Sequence, residues 1–161
     1  MKPAEVSTPS DREVLVKRSF HAPVHLVWQA YTDPALMRRW LTAMPGWSMP
    51  VCEMATHVGG KYRWRWRSED GQEFGFTGEM LEVALHSKIV HTQTFDPGNL
   101  GGSMGGEPSI ITVTFNETNG ITNVATSIKY ASKADRDAAM STGMTDGMEM
   151  SYKALDGVLA S

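Results

Sequence analysis

Residues 61–67 read Lys-Tyr-Arg-Trp-Arg-Trp-Arg, with basic and aromatic side chains in strict alternation. An extended strand, whose successive side chains point to opposite faces, sorts such a run into one charged and one aromatic surface. The charged surface suits water and the aromatic one needs cover. After Gly71 the alternation resumes, with Phe74, Phe76 and Met80 on one face and Glu73, Thr77 and Glu79 on the other. A three-residue loop, Glu69-Asp70-Gly71 with Gly71 left-handed, joins the two runs as a hairpin. It sets Trp66 opposite Phe74, Trp64 opposite Phe76 and Tyr62 opposite Gly78. On the reverse face Arg67 meets Glu73 and Lys61 meets Glu79. A two-residue loop would set Arg67 against Phe74, so faces and charges both select the odd loop.

The elements before and after this hairpin follow from their own patterns. Residues 1–11 are polar, contain Pro3 and Pro9, and read as a flexible leader. A strand follows to Phe20, with Val14, Val16 and Arg18 alternating against Leu15, Lys17 and Ser19. Pro23 then suits a first helical position, with Val24, Val27, Trp28 and Tyr31 at helical spacing. Asp33-Pro34 starts a second short helix carrying Leu36, Met37 and Trp40, which ends at Pro45-Gly46. Residues 89–95 form a strand with Ile89, His91, Gln93 and Phe95 on one face. Asn119-Gly120 signals a two-residue type I′ turn that pairs Phe115 with Val124, Val113 with Thr126 and Ile111 with Ile128.

Ser132 with Asp135 makes a capping-box start for one long helix to Leu159, about 40 Å at 1.5 Å per residue. Met140, Met144, Met148, Tyr152 and Leu155 fall within one stripe, and Thr145, Asp146, Glu149, Lys153 and Asp156 fall on the opposite side. Gly143 and Gly147 lie beside the stripe, where each costs about 1 kcal/mol against Ala. Close backbone approach or open space for a ligand would account for them.

The chain has 161 residues, 41% of them hydrophobic and 20% charged, with a formal net charge of −3. These values fit one folded domain over residues 12–160 and supply no electrostatic footprint for nucleic acid. Cys52 alone forms no internal disulfide. The N-terminus has no signal-peptide core, and no segment approaches the ~20 apolar residues of a membrane span. Cytoplasmic residence follows by default. The order of elements is α+β: a strand, two short helices, a run of antiparallel strands and a C-terminal helix.

Four segments carry a family resemblance: FHAPVHLVWQAYTDPALMRRWL (20–41), VGGKYRWRWR (58–67), the G-x-x-x-E-V at 78–83 and GMTDGMEMSYKALDGVL (143–159). In this order they resemble the activator-of-heat-shock-protein-ATPase homologue family, within the START-like helix-grip superfamily that includes polyketide cyclases. The resemblance covers about residues 12–160. It implies a curved antiparallel sheet of about seven strands wrapped around the last helix, with a hydrophobic cavity between them. Two departures stand out. Ala55 and His57 precede the Gly-Gly pair where relatives commonly carry Asp and Arg, and Met148 stands where the last helix often has Trp.

The expected ligand-binding surface joins Tyr62, Trp64, Trp66, Phe74, Phe76 and Met80 from the hairpin with His91 and Phe95 from the next strand. Met140, Met144, Met148 and Tyr152 face them from the helix, and Trp28 and Trp40 complete the set. Large rings and unbranched Met suit an apolar pocket for a hydrophobic or aromatic small molecule, acting without catalysis. The alternative is a cyclase or dehydratase on a polyketide-like substrate, with His91 as the candidate acid/base. A third reading, co-chaperone stimulation of a chaperone ATPase in a stress response, has little support, since only about eleven residues precede the fold. No cofactor is implied, and without HExxH or a second Cys no metal site is expected. A homodimer stays open. The Gly-rich stretch 98–106 lacks the following helix of a phosphate loop and reads as a mobile hairpin loop at the cavity mouth.

Overall fold

A computed structural model describes residues 2–41, 45–99 and 107–160. The strands β1 (Glu5–Ser7) and β2 (Glu13–Phe20) lead into the helices α1 (Val24–Thr32) and α2 (Pro34–Trp40). Then come β3 (Trp47–Met54), β4 (Lys61–Ser68), β5 (Glu73–Ala84), β6 (Lys88–Asp96), β7 (Ser109–Thr118) and β8 (Ile121–Lys129). The helices α3 (Lys133–Met140) and α4 (Met144–Ala160) close the chain. The eight strands form one antiparallel sheet in the order β1-β2-β8-β7-β6-β5-β4-β3. The architecture is the expected α+β helix-grip arrangement.

Both hairpins take the registers read from the sequence. Trp66 pairs with Phe74, Trp64 with Phe76, Tyr62 with Gly78 and Lys61 with Glu79, and Gly71 has φ +86°. Phe115 pairs with Val124 across a turn in which Asn119 and Gly120 have φ +53° and +78°, the signs a type I′ turn requires. Asp33 caps α2 by accepting from the Ala35 N–H at 3.0 Å, and Ser132 caps α3 by accepting from the Asp135 N–H at 3.1 Å.

Three features differ from expectation. Glu5–Ser7, within the stretch read as a flexible leader, pair with β2 and supply an eighth strand. The long C-terminal helix is two helices, because Gly143 adopts φ +78° and ends the first turn-by-turn ladder after Met140. A side chain is strained at that φ, so glycine there serves the break. Finally, β3 carries Pro50 beside a register shift between Ser48 and Val51, which hides it from any alternation test.

The core lies between the sheet's inner face and the helices. Its main cluster joins Val14, Val16 and Phe20 of β2, Val27 and Trp28 of α1, and Tyr152 and Leu155 of α4. A second cluster under α2 contains Met37, Met49, Cys52 and Trp66. The α4 helix packs on α2, and also against α1, α3 and β2.

Candidate functional site

The alternation of β4 and β5, placed beside β6, lays a continuous aromatic floor on the inner sheet face. Ring centres of Tyr62 and Trp64 are 4.5 Å apart, and Trp66 stacks on Phe74 at 5.5 Å. Phe76 contacts Trp66 at 5.8 Å and Phe95 at 5.6 Å, which carries the surface across to β6. Tyr62, Trp66 and Met80 are buried, whereas Trp64, Phe74 and Phe76 are half-buried and Phe95 is 40% exposed. The floor is thus sealed at one end and partly bare at the other.

His91 sits at the sealed end, only 6% exposed, opposite Met80 and Ile111 in the neighbouring strands. Its Nδ1 lies 3.0 Å from the Thr92 carbonyl oxygen and 3.0 Å from the Tyr62 hydroxyl. A carbonyl only accepts, so Nδ1 carries the hydrogen and Nε2 presents a lone pair. The Tyr62 hydroxyl in turn donates to the same carbonyl at 2.5 Å. Burial lowers the His91 pKa below its ordinary value, with the Thr92 hydrogen bond opposing part of that shift, and burial pushes the Tyr62 phenol up. Both groups are therefore neutral at neutral pH. Beside them, Trp64 Nε1 is buried without a hydrogen-bond partner, an arrangement that costs about 1–3 kcal/mol.

The helical members of the expected set separate. Met140 ends α3, while Met144 and Met148 lie on α4; all three are half-buried against the main cluster, which also takes in Trp64 and Phe76. Met144 Sδ accepts from the Tyr130 hydroxyl at 3.4 Å. Tyr152 is buried edge-on to Phe20 at 5.7 Å, and burial pushes its pKa up to about 12. Trp28 packs on Phe115 at 5.2 Å, and the Trp40 indole donates to the Ala30 carbonyl at 2.9 Å. Those two tryptophans join α1 and α2 to the core and do not extend the floor. A β-carbon at Gly147 would meet nothing within 4 Å, so open space, not close approach, surrounds that position.

One prominent polar arrangement escaped the sequence reading. The Arg18 guanidinium, its side chain 2% exposed, lies 3.3 Å from Glu149 and 2.8 Å from Asp156. It also sits 5.1 Å from the Phe20 ring centre. Glu149 and Asp156 were expected on the helix's outer side; they are seven residues apart, two turns, and both reach β2. Glu149 further accepts from the Ala4 N–H at 2.8 Å, tying the segment before β1 to α4. Placing Arg18 on the face with Val14 and Val16 was the available signal.

Outside the floor, Arg65 pairs with Asp96 at 2.7 Å and Glu73 at 3.6 Å, so Glu73 bridges to Arg65 although Arg67 is its register partner. Two open concavities lie elsewhere: about 460 Å³ on the outer face around Arg63 and Thr77, and about 550 Å³ between Trp28, Asp33 and Leu85. The space expected as a cavity between sheet and helix is occupied largely by packed side chains. Among the described residues no three His, Cys, Asp or Glu cluster as metal ligands, and no helix is long and apolar enough to cross a membrane. Asn99 is tied to the β4–β5 hairpin, its side-chain oxygen accepting from the Glu73 N–H at 2.7 Å, while the Gly98 N–H donates to Asp96 at 2.9 Å. The loop expected at the cavity mouth otherwise falls on residues 100–106, outside the described residues.

Solved structures match this fold over nearly its full length. A crystal structure of a protein from Rhodobacter sphaeroides is 28% identical, with 99% of each chain covered and a TM-score of 0.88. Proteins from Mycobacterium smegmatis (21% identical, 98% and 97% covered, TM-score 0.86) and Nitrosomonas europaea (20%, 95% and 97%, TM-score 0.80) share the fold. No curated protein matches the chain in sequence. A family profile described as "Activator of Hsp90 ATPase homolog 1-like protein" matches residues 21–160, so the chain belongs to that family.

Proposed function

We propose that the protein binds a hydrophobic, aromatic small molecule against the inner face of β4–β6, without catalysing its conversion. The observation that carries this reading is the partly bare aromatic floor, with Trp64, Phe74 and Phe76 half-buried and Phe95 40% exposed. A contiguous exposed apolar patch on a folded domain marks a binding surface more often than chance. Half-buried Met144 and Met148 pack against the main core cluster that also takes in Trp64 and Phe76, and unbranched thioethers repack around varied guests. Native mass spectrometry of the protein purified from its own cells tests the reading directly. A retained small molecule, released on denaturation and lost in Trp64→Ala, is the expected result; a ligand retained equally by that variant would place binding elsewhere.

A second reading, acid–base chemistry of the cyclase or dehydratase kind, draws on His91. Its imidazole is inward, buried and neutral, with Nε2 unprotonated. Full turnover of an identified substrate by His91→Ala would end that reading.

A further inference from the structure

Two neighbouring rings of the aromatic floor each carry an unused hydrogen-bonding atom, and the two are complementary. Trp64 Nε1 is a buried donor with no partner. His91 Nε2 is an acceptor, because Nδ1 must hold its hydrogen to approach the Thr92 carbonyl, and Nε2 has no hydrogen-bond partner among the described residues. The two rings have centres 6.3 Å apart at 73°. The two side chains are therefore neighbours in edge-to-face contact, an unpaired donor on one ring beside an unpaired acceptor on the other.

We propose that this pair recognises a neutral hydroxyl on an aromatic ligand, the oxygen accepting from Trp64 Nε1 and the hydroxyl hydrogen going to His91 Nε2. The proposal rests on the binding reading above and names its ligand class. A ketone or ether oxygen satisfies Trp64 but leaves the imidazole lone pair facing another lone pair. A carboxylate or phenolate does the same and brings an uncompensated charge beside buried rings. An unsubstituted hydrocarbon leaves both atoms unpaired. Only a group that donates and accepts at one atom answers both. The second hydrogen bond of the imidazole fixes this choice: the Tyr62 hydroxyl already donates to the Thr92 carbonyl, so the His91 Nδ1–H has acceptors on both sides and the tautomer is held. The rest of the guest then lies along Trp64, Phe76 and Phe95, where the floor is least covered.

The experiment compares three probes of one shape, 1-naphthol, 1-methoxynaphthalene and naphthalene, titrated into the whole chain with indole N–H signals followed by NMR. 1-Naphthol is expected to bind about tenfold more tightly than its methyl ether, as for one hydrogen bond left unmatched. The Trp64 indole signal, identified by its loss in Trp64→Phe, moves downfield with 1-naphthol. His91→Phe erases the preference for 1-naphthol over the ether. Equal affinity for all three probes, or an unmoved Trp64 signal at saturation, overturns the hydroxyl proposal and leaves the binding reading standing. Failure of all three to bind overturns both. The comparison of probes on the unaltered chain decides the matter even where a variant does not fold.

Discussion

The ring of Tyr62 lies across the bare α-carbon of Gly78 on the adjacent strand, so close that a β-carbon there would overlap both the ring and the Thr92 carbonyl oxygen. That absence of a side chain lets the Tyr62 hydroxyl reach β6 and bond the backbone beside His91. Gly78→Ala forces the ring off its seat and is expected to cost about 2 kcal/mol, in the range of overpacked cores. Urea unfolding of the variant checks this; an unchanged midpoint would show that the ring has another resting place.

The two glycines at the helix junction should respond with opposite signs. Gly143 has φ +78°, so Gly143→Ala is expected to destabilise by about 1 kcal/mol although nothing crowds it. Gly147 lies within α4 in open space, and Gly147→Ala is expected to stabilise by up to about 1 kcal/mol. Thermal unfolding of both variants reads the two signs side by side.

How much of this was legible in the sequence depended on whether a local pattern survived its context. The registers at Trp66–Phe74 and Phe115–Val124 were fixed by alternation plus loop chemistry, both confined to neighbouring residues. Gly143 looked like a tolerated glycine in a continuous stripe because Met140 and Met144 keep helical spacing across the break. Alternation puts Arg18 on the face of Val14 and Val16, yet its partners Glu149 and Asp156 lie more than 130 positions away and read as charges on the helix side opposite the apolar stripe. The unpaired indole of Trp64 was invisible for a simpler reason: nothing in a sequence counts hydrogen bonds that are not made.

The ion triad predicts a graded response. Glu149→Gln or Asp156→Asn alone leaves Arg18 one carboxylate, whereas the double variant strands a buried guanidinium and is expected to cost about 3 kcal/mol or more. Denaturant titration of the two single variants and the double gives the coupling. Strict additivity would mean that the two carboxylates do not share the cation.

His91 sets a pH dependence whose sign is fixed by its lowered pKa. Its folded form resists protonation, while the unfolded imidazole titrates near the ordinary 6.5, so below that value the unfolded state binds the extra proton. The contribution is fully present above about pH 6.5 and is lost as pH falls through the folded value, with a slope of at most about 1.4 kcal/mol per pH unit. His91→Gln is expected to flatten the stability profile in that window. An identical slope in the variant would assign it to other groups.

The two margins of the sheet share a property that bears on the fate of the molecule in a crowded solution. At one margin β1 offers three residues; at the other, β3 carries Pro50, which has no N–H to donate, next to a break in register. Neither margin presents a long, flat row of free amides on which a foreign strand can template itself. An open sheet with partly uncovered rings on one face is therefore protected along its sides, and contact between copies is steered away from strand-by-strand growth.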